Sequence, residues 1–194
     1  MVILAIGLFG LVSCNGVSDP SPEPDFTYEF DDSASGWNSH GIDLMVGGEE
    51  VNWAVEHTPD TGHAEPGAMR FYLNNRSDAG KIWMEREFSL EPDQTYEVEV
   101  RYAFGTNDYG INLWTIIAGV HREPPETQEE LTFQGETGVG SDEDLGMKWL
   151  DKRYTFTAVT DADGELYVAL GIWGTWETPR TYYIDDVRID FRQQ

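Results

Sequence analysis

Tyr96-Glu97-Val98-Glu99-Val100-Arg101-Tyr102 alternates ring or aliphatic side chains with charged ones without a break. A period of two marks a strand with one face in a core and the other in water. The pattern recurs on both sides of this stretch. Phe26, Tyr28 and Phe30 alternate with polar neighbours, as do Met69, Phe71 and Leu73. Between Ile82 and Leu90, Ile82, Met84, Phe88 and Leu90 oppose Trp83, Glu85 and Glu87. Further strands are predicted over Ile111 to Val120, Trp149 to Ala158, Leu166 to Trp173 and Tyr182 to Phe191, with Val51 to His57 as a shorter candidate. Turn chemistry separates them at Glu91-Pro92-Asp93, Gly105-Thr106-Asn107-Asp108 and Asp161-Ala162-Asp163-Gly164. No stretch sustains a helical period. About eight or nine antiparallel strands in about 170 residues predict an all-β, two-sheet sandwich.

One connection is long. Residues 121–148 hold Pro124, Pro125, several glycines and many acids. A loop of this length is either a binding or lid loop or an unstructured insertion.

Apolar residues make up 40% of the chain and aromatics 13%, enough for a real core. With one cysteine, no intramolecular disulfide can form. Asp and Glu number 36 against 12 Lys and Arg, a formal net charge of −24. This acidic protein should repel nucleic acid and bare anionic lipid, and disfavours strongly anionic polysaccharides unless a cation bridges. The acids are scattered rather than run together, which reads as a solvated surface.

Ahead of the first strand, an apolar run from Val2 to Val12 is too short to cross a bilayer. It ends in Leu11-Val12-Ser13-Cys14, which resembles the lipobox of bacterial lipoproteins, although residues 1–10 carry no Lys or Arg. The resemblance implies a signal peptide over 1–13, cleavage before Cys14 and a diacylglycerol on its sulfur. Asn15 after the cysteine implies the outer membrane of a Gram-negative cell envelope, with membrane contact through the lipid alone. The Pro-, Ser- and Asp-rich residues 14–25 read as a linker, with about 35–40 Å of reach when extended. The domain is then 26–194.

Two end motifs carry a second resemblance. Phe30-Asp31-Asp32-Ser33-Ala34-Ser35-Gly36-Trp37 stands near the start, and Tyr182-Tyr183-Ile184-Asp185-Asp186-Val187-Arg188-Ile189 at the end. Between them, Phe88 to Val100 has the strand, Leu-Glu-Pro turn and strand of a central hairpin. The chain resembles jelly-roll carbohydrate-binding modules and their galactose-binding-like relatives. That implies a jelly-roll order in which the first and last strands are neighbours, with a structural calcium beside them. Asp31 and Asp185 are then the candidate calcium ligands, and hard oxygens suit that ion. By residue parity Asp185 shares a side with Val187, Ile189 and Phe191 and should point inward, toward a cation or toward backbone N–H donors.

The same parity places Tyr72, Trp83, Trp114, Tyr167 and Trp173 outward, together with Arg70, Glu85, Arg101 and Asn112. Trp176 lies in a turn that could wall one end. Aromatic rings stack on the C–H faces of pyranoses while Arg, Asn and Glu satisfy hydroxyls, so this set is the expected glycan face. The alternative is that the 121–148 loop or the second sheet covers some of these rings. Trp37 and Trp53 read as core or edge plugs.

Catalysis is not expected. The Glu-x-Asp-x-x-Glu strand motif of jelly-roll glucanases is absent, and Glu97 with Glu99 reads as a solvated pair. His40, His57, His63 and His121 are scattered outside any lyase-like or metal motif. No nucleophile elbow, phosphate loop or dinucleotide fingerprint occurs. The expected role is a non-catalytic, surface-tethered glycan-binding module. The alternatives are an envelope protein–protein interaction or scaffold lipoprotein of the same fold, and a glycan-active hydrolase or lyase.

Overall fold

A computed structural model describes residues 25–110 and 114–194. The lipobox Cys14, the 14–25 linker up to Pro24 and Asn112 lie outside the described residues.

The strands run in chain order as β1 (Phe26–Tyr28), β2 (Asn38–Ile42), β3 (Met45–Val46), β4 (Glu49–Glu50), β5 (Trp53–Thr58), β6 (Ala68–Asn74), β7 (Lys81–Ser89), β8 (Thr95–Thr106), β9 (Thr115–His121), β10 (Phe133–Glu136), β11 (Lys148–Val159), β12 (Glu165–Trp173) and β13 (Pro179–Gln193). A 3-10 turn covers Gln128–Glu130. One sheet has the order β11-β8-β13-β6-β5, with β1 also on β13; the other is β10-β9-β12-β7-β2. All pairings are antiparallel, and β3 and β4 form a separate small hairpin. This is the two-sheet jelly-roll sandwich that the alternation predicts. The strand number exceeds eight or nine because β2, β3, β4 and β10 are too short to show a period.

β1 pairs with β13 at Phe26↔Ile189 and Tyr28↔Val187, so the first and last strands are neighbours. The core fills the space between the sheets. Phe71, Val98, Val100, Phe104, Ile184, Val187 and Ile189 meet Ile82, Met84, Trp114, Ile116, Leu166, Val168 and Leu170 there. Trp37 is buried in this core and Trp53 packs against its rim, as expected. Asp161 is a turn residue: its Oδ1 accepts the Asp163 and Glu165 N–H groups at 2.9 Å each.

The long connection resolves into a packed flap for its first half. The Glu130 carboxylate accepts the backbone N–H groups of Glu126 (2.8 Å) and Thr127 (3.0 Å), closing a capping box that fixes the 3-10 turn. β10 then pairs with β9. Leu131 and Phe133 thereby cover the outer face of the second sheet, forming a small second core with Trp83, Ile117, Ala169 and Ile42. Burying a Trp side chain contributes about 3–5 kcal/mol by the cost of its removal.

Candidate functional site

The sequence-predicted glycan face does not assemble as one groove. Trp114 is fully buried in the main core, its ring 5.6 Å from Tyr182 and its Nε1–H donating to the Trp176 carbonyl at 3.1 Å. It shares its side of the chain with Ile116 and Ala118, both in the core. The misreading has a physical cause. Ile117, on the opposite side, is also buried, beneath the flap, so apolar residues mark both faces of β9.

Trp83 does point away from the main core, but the flap leaves it 1% exposed. Glu85 is buried beside it. Burial raises its carboxyl above the usual range, against the opposing pull of His40 and the Trp83 Nε1–H at 3.4 Å. Neither can stack on or bind a sugar. Tyr167 stays partly exposed on this same sheet, its hydroxyl within donating distance of either Glu165 (2.9 Å) or Glu87 (3.1 Å). Trp173 lies at the strand end, its Nε1–H on the Asp78 carbonyl (3.1 Å) and its ring 4.9 Å from Phe133. Trp176 is exposed in its turn. Arg70, Tyr72 and Arg101 belong to the opposite sheet. Parity separates inward from outward but cannot say which sheet an outward residue serves.

Register assembles a different face on the six-stranded sheet. Gly105 of β8 lies opposite Trp149 of β11 and Tyr183 of β13, and Tyr183 lies opposite Arg70 of β6. Trp149 and Tyr183 therefore flank a residue without a side chain. A methyl group on Gly105 would sit 3.0 Å from Trp149 Cζ3 and 3.1 Å from Tyr183 Cβ, so the Trp149 ring lies over the glycine and any side chain there would displace it. The Trp149 and Tyr183 rings lie 6.3 Å apart, and the His63 ring 5.5 Å from Trp149. The next row is Asp151–Ala103–Asp185, and the one beyond it Arg153–Arg101–Arg188. A cavity of about 260 Å³ runs along these last two rows, lined by His63, Ala103, Asp151, Arg101, Arg153 and Arg188 among others. Of the predicted residues only Arg101 lines it. Trp149 and Tyr183 were within reach of the sequence: one of the adjacent Tyr182 and Tyr183 must face out. Their meeting across Gly105 depends on strand order.

Glu99 and Asp190 stand one row further along. Arg153 donates from Nε to Glu99 at 2.9 Å, Arg101 Nε lies 3.0 Å from the same carboxylate, and Arg101 Nη2 donates to Asp190 at 2.7 Å. Glu97 lies 3.4 Å from Arg192. Both Glu97 and Glu99 are thus ion-paired, not poised across a cleft.

Asp31 and Asp185 do share a cavity, of about 110 Å³, with Glu29, Glu65 and Asp186. Asp185 reaches it by an unforeseen route. A bulge between Asp185 and Arg188, with Asp186 at φ 51°, inserts one residue and reverses the parity. Ile184 and Val187 are in the core, so Asp185 belongs to the outer side, buried there under the His63 segment rather than pointing inward. Its Oδ2 accepts the His63 N–H and its Oδ1 the Asp186 N–H, each at 2.7 Å. Burial nevertheless raises its carboxyl above the usual value. In donor chemistry the pocket suits a hard cation. In geometry, no three His, Cys, Asp or Glu side chains among the described residues converge on one point.

Fold and face together define a jelly-roll sandwich with an open cleft on one sheet. No family model matches the chain, and no curated protein matches it. Solved structures do. The K3 cleaved adhesin domain of Lys-gingipain from Porphyromonas gingivalis W83 matches with a TM-score of 0.54 at 13% identity, over 86% of this chain and 98% of that one. Carbohydrate-binding modules are also among the neighbours. The CBM22-1–GH10 modules of a Clostridium thermocellum endo-1,4-β-D-xylanase, complexed with xylohexaose, match at 0.49 and 18% identity over 90% of this chain. This chain spans only 29% of the length of that one. TmCBM61 in complex with β-1,4-galactotriose matches at 0.46 and 14%, over 84% and 91% of the two chains. At these identities the likeness is one of fold.

Proposed function

We propose that this chain is a non-catalytic glycan-binding module whose sugar site is the cleft on the six-stranded sheet. The observation that carries it is the Trp149–Gly105–Tyr183 row: an aromatic ring laid over a glycine beside a second ring, one row from a cavity lined by charged groups. A pyranose placed there stacks its C–H face on Trp149, and the polar rows beyond satisfy its hydroxyls. The ion-paired state of Glu97 and Glu99 supports binding without hydrolysis, because a glycosidase needs one carboxyl free to protonate the leaving group.

A glycan array followed by calorimetry tests this. Trp149→Ala should weaken binding about tenfold, the scale of one aromatic stacking contact, with an unchanged melting temperature. Gly105→Val should abolish it. Trp173→Ala, on the other sheet, should change nothing. Binding that survives Trp149→Ala and is lost in Trp173→Ala would move the site to the opposite face and refute the assignment.

Two narrower proposals accompany it. Acylated Cys14 displays the domain at the outer membrane, a reading supported by Leu11-Val12-Ser13-Cys14 and the linker after it. Palmitate labelling that persists in Cys14→Ala would remove it. Calcium occupies the pocket of Asp31 and Asp185, supported by five carboxylates around one small cavity with no Lys or Arg in its lining.

A further inference from the structure

The cleft carries a charge pattern that the chain as a whole does not. Three of the 12 basic residues, Arg153, Arg101 and Arg188, stand side by side, in register across three adjacent strands. Like charges directly opposite one another destabilise a sheet unless compensated. Glu99 and Asp190 compensate in part: Glu99 serves Arg153 and Arg101, and Asp190 serves Arg101. Arg188 is the guanidinium left over. It is exposed, and among the described residues its side chain makes no ion pair or hydrogen bond. Arg153 gives Nε and Nη2 to Glu99, but its side chain is 67% exposed, which leaves Nη1 for a second acceptor. Of the two acids in the cleft lining, Asp186 is occupied by His63 at 2.7 Å, and Asp151 lies one row nearer the aromatic end.

We infer that the cleft selects an acidic oligosaccharide, one bearing a uronate carboxylate. This rests on the glycan-binding reading above and names its ligand class. A guanidinium fork matches a planar carboxylate bidentately. Gly105 and Arg101 are four residues apart on β8, about 13 Å at about 3.3 Å per residue. That exceeds one pyranose ring, so the aromatic row and the arginine row touch different sugars of one chain. One sugar stacks on Trp149. A carboxylate further along meets Arg188 and Arg153.

Calorimetry on the full chain compares an oligogalacturonate tetramer, its fully methyl-esterified form and a sulfated neutral oligosaccharide. The acid should bind at least about tenfold tighter than the ester, about 1.4 kcal/mol. Arg188→Gln should bring the acid down to the ester's affinity and leave the ester unchanged, whereas Trp149→Ala should weaken both. Equal affinity for acid and ester overturns the uronate assignment and leaves glycan binding standing. A preference that persists in Arg188→Gln, or tighter binding of the sulfated sugar than of the uronide, overturns it too. No binding to any of these, with a blank glycan array, overturns both readings.

Discussion

Replacing Asp108 with Asn should cost about 2–3 kcal/mol of folding stability. Asp108 is fully buried between the end of β8 and the start of β13. Its Oδ2 accepts the Tyr182 hydroxyl at 2.6 Å and the Thr137 hydroxyl at 2.8 Å, and its Oδ1 pairs with the Arg180 guanidinium. Asparagine keeps the shape and one acceptor oxygen. Its amide nitrogen must then face either Arg180, donor against donor, or two hydroxyls that have to rotate. The two hydroxyl bonds fall from the charge-assisted to the neutral class, and Arg180 loses its anionic partner, about 1 kcal/mol apiece. Arg180 is 32% exposed, so water recovers part of its share. Asp108→Ala, which strands all three donors, should cost about 3–5 kcal/mol. Urea unfolding with an unchanged m-value is the assay. A double-mutant cycle with Tyr182→Phe should give a coupling above about 1 kcal/mol. Asp108→Asn within about 0.5 kcal/mol of the native chain, or additive Asp108→Ala and Tyr182→Phe, would refute the reasoning. The network also bears on the cleft: Tyr182 anchors β13 one residue before Tyr183, so loosening it should weaken sugar binding.

Burial holds the His121 imidazole below its ordinary value of 6.5, with Glu130 pulling the other way, and its buried Nε2 has no partner among the described residues. The unfolded chain takes up this proton first, so stability present above pH 6.5 is lost as pH falls from there toward the folded value. Amide exchange in residues 128–136, corrected for intrinsic rates, should therefore quicken as pH falls below 6.5, and His121→Gln should remove that response; identical protection across the range would refute it. For the acidic pocket, calcium at 10 to 100 times a dissociation constant adds about 1.4–2.7 kcal/mol, or about 3–10 °C in melting temperature. Metal-stripped protein should show that rise and Asp31→Asn should not; an unchanged melt would leave Asp185 as a clamp on the His63 and Asp186 amides alone.

The sheet whose outer face carries charged residues was legible, and the sheet whose outer face an apolar flap covers was not. β8 alternates cleanly because Glu97, Glu99 and Arg101 stand on a face where ion pairs, not apolar packing, meet them. β9 and β7 carry apolar residues on both sides because the flap adds a second dry surface over Trp83 and Ile117. No local pattern distinguishes a strand half-buried in a core from one roofed by a distant segment. The same limit hid the site. Trp149, Gly105 and Tyr183 come from three strands far apart in sequence, and only strand order and register make them neighbours. Asp185 failed for another reason: one inserted residue reverses every side chain before it relative to those after it. The positive φ at Asp186 marks where, but an Asp-Asp pair does not announce it.

The net charge of −24 and an anion-selective cleft are compatible because they act over different distances. The scattered acids set a field that is screened beyond about 8 Å at physiological salt. The Arg188 and Arg153 forks act at hydrogen-bond distance, where geometry decides. Polyanions differ in how much of them must fit the basic row. Duplex DNA carries one charge per about 1.7 Å of axis, so any length that reached the arginines would bring its remaining phosphates against a chain of net charge −24. A uronide carries one carboxylate per sugar, and the cleft provides an aromatic row for the sugar beside the one it holds by charge. The acidic surface then acts as a filter: it rejects densely charged chains and leaves the row of three arginines to a ligand whose charges are spaced by sugar rings.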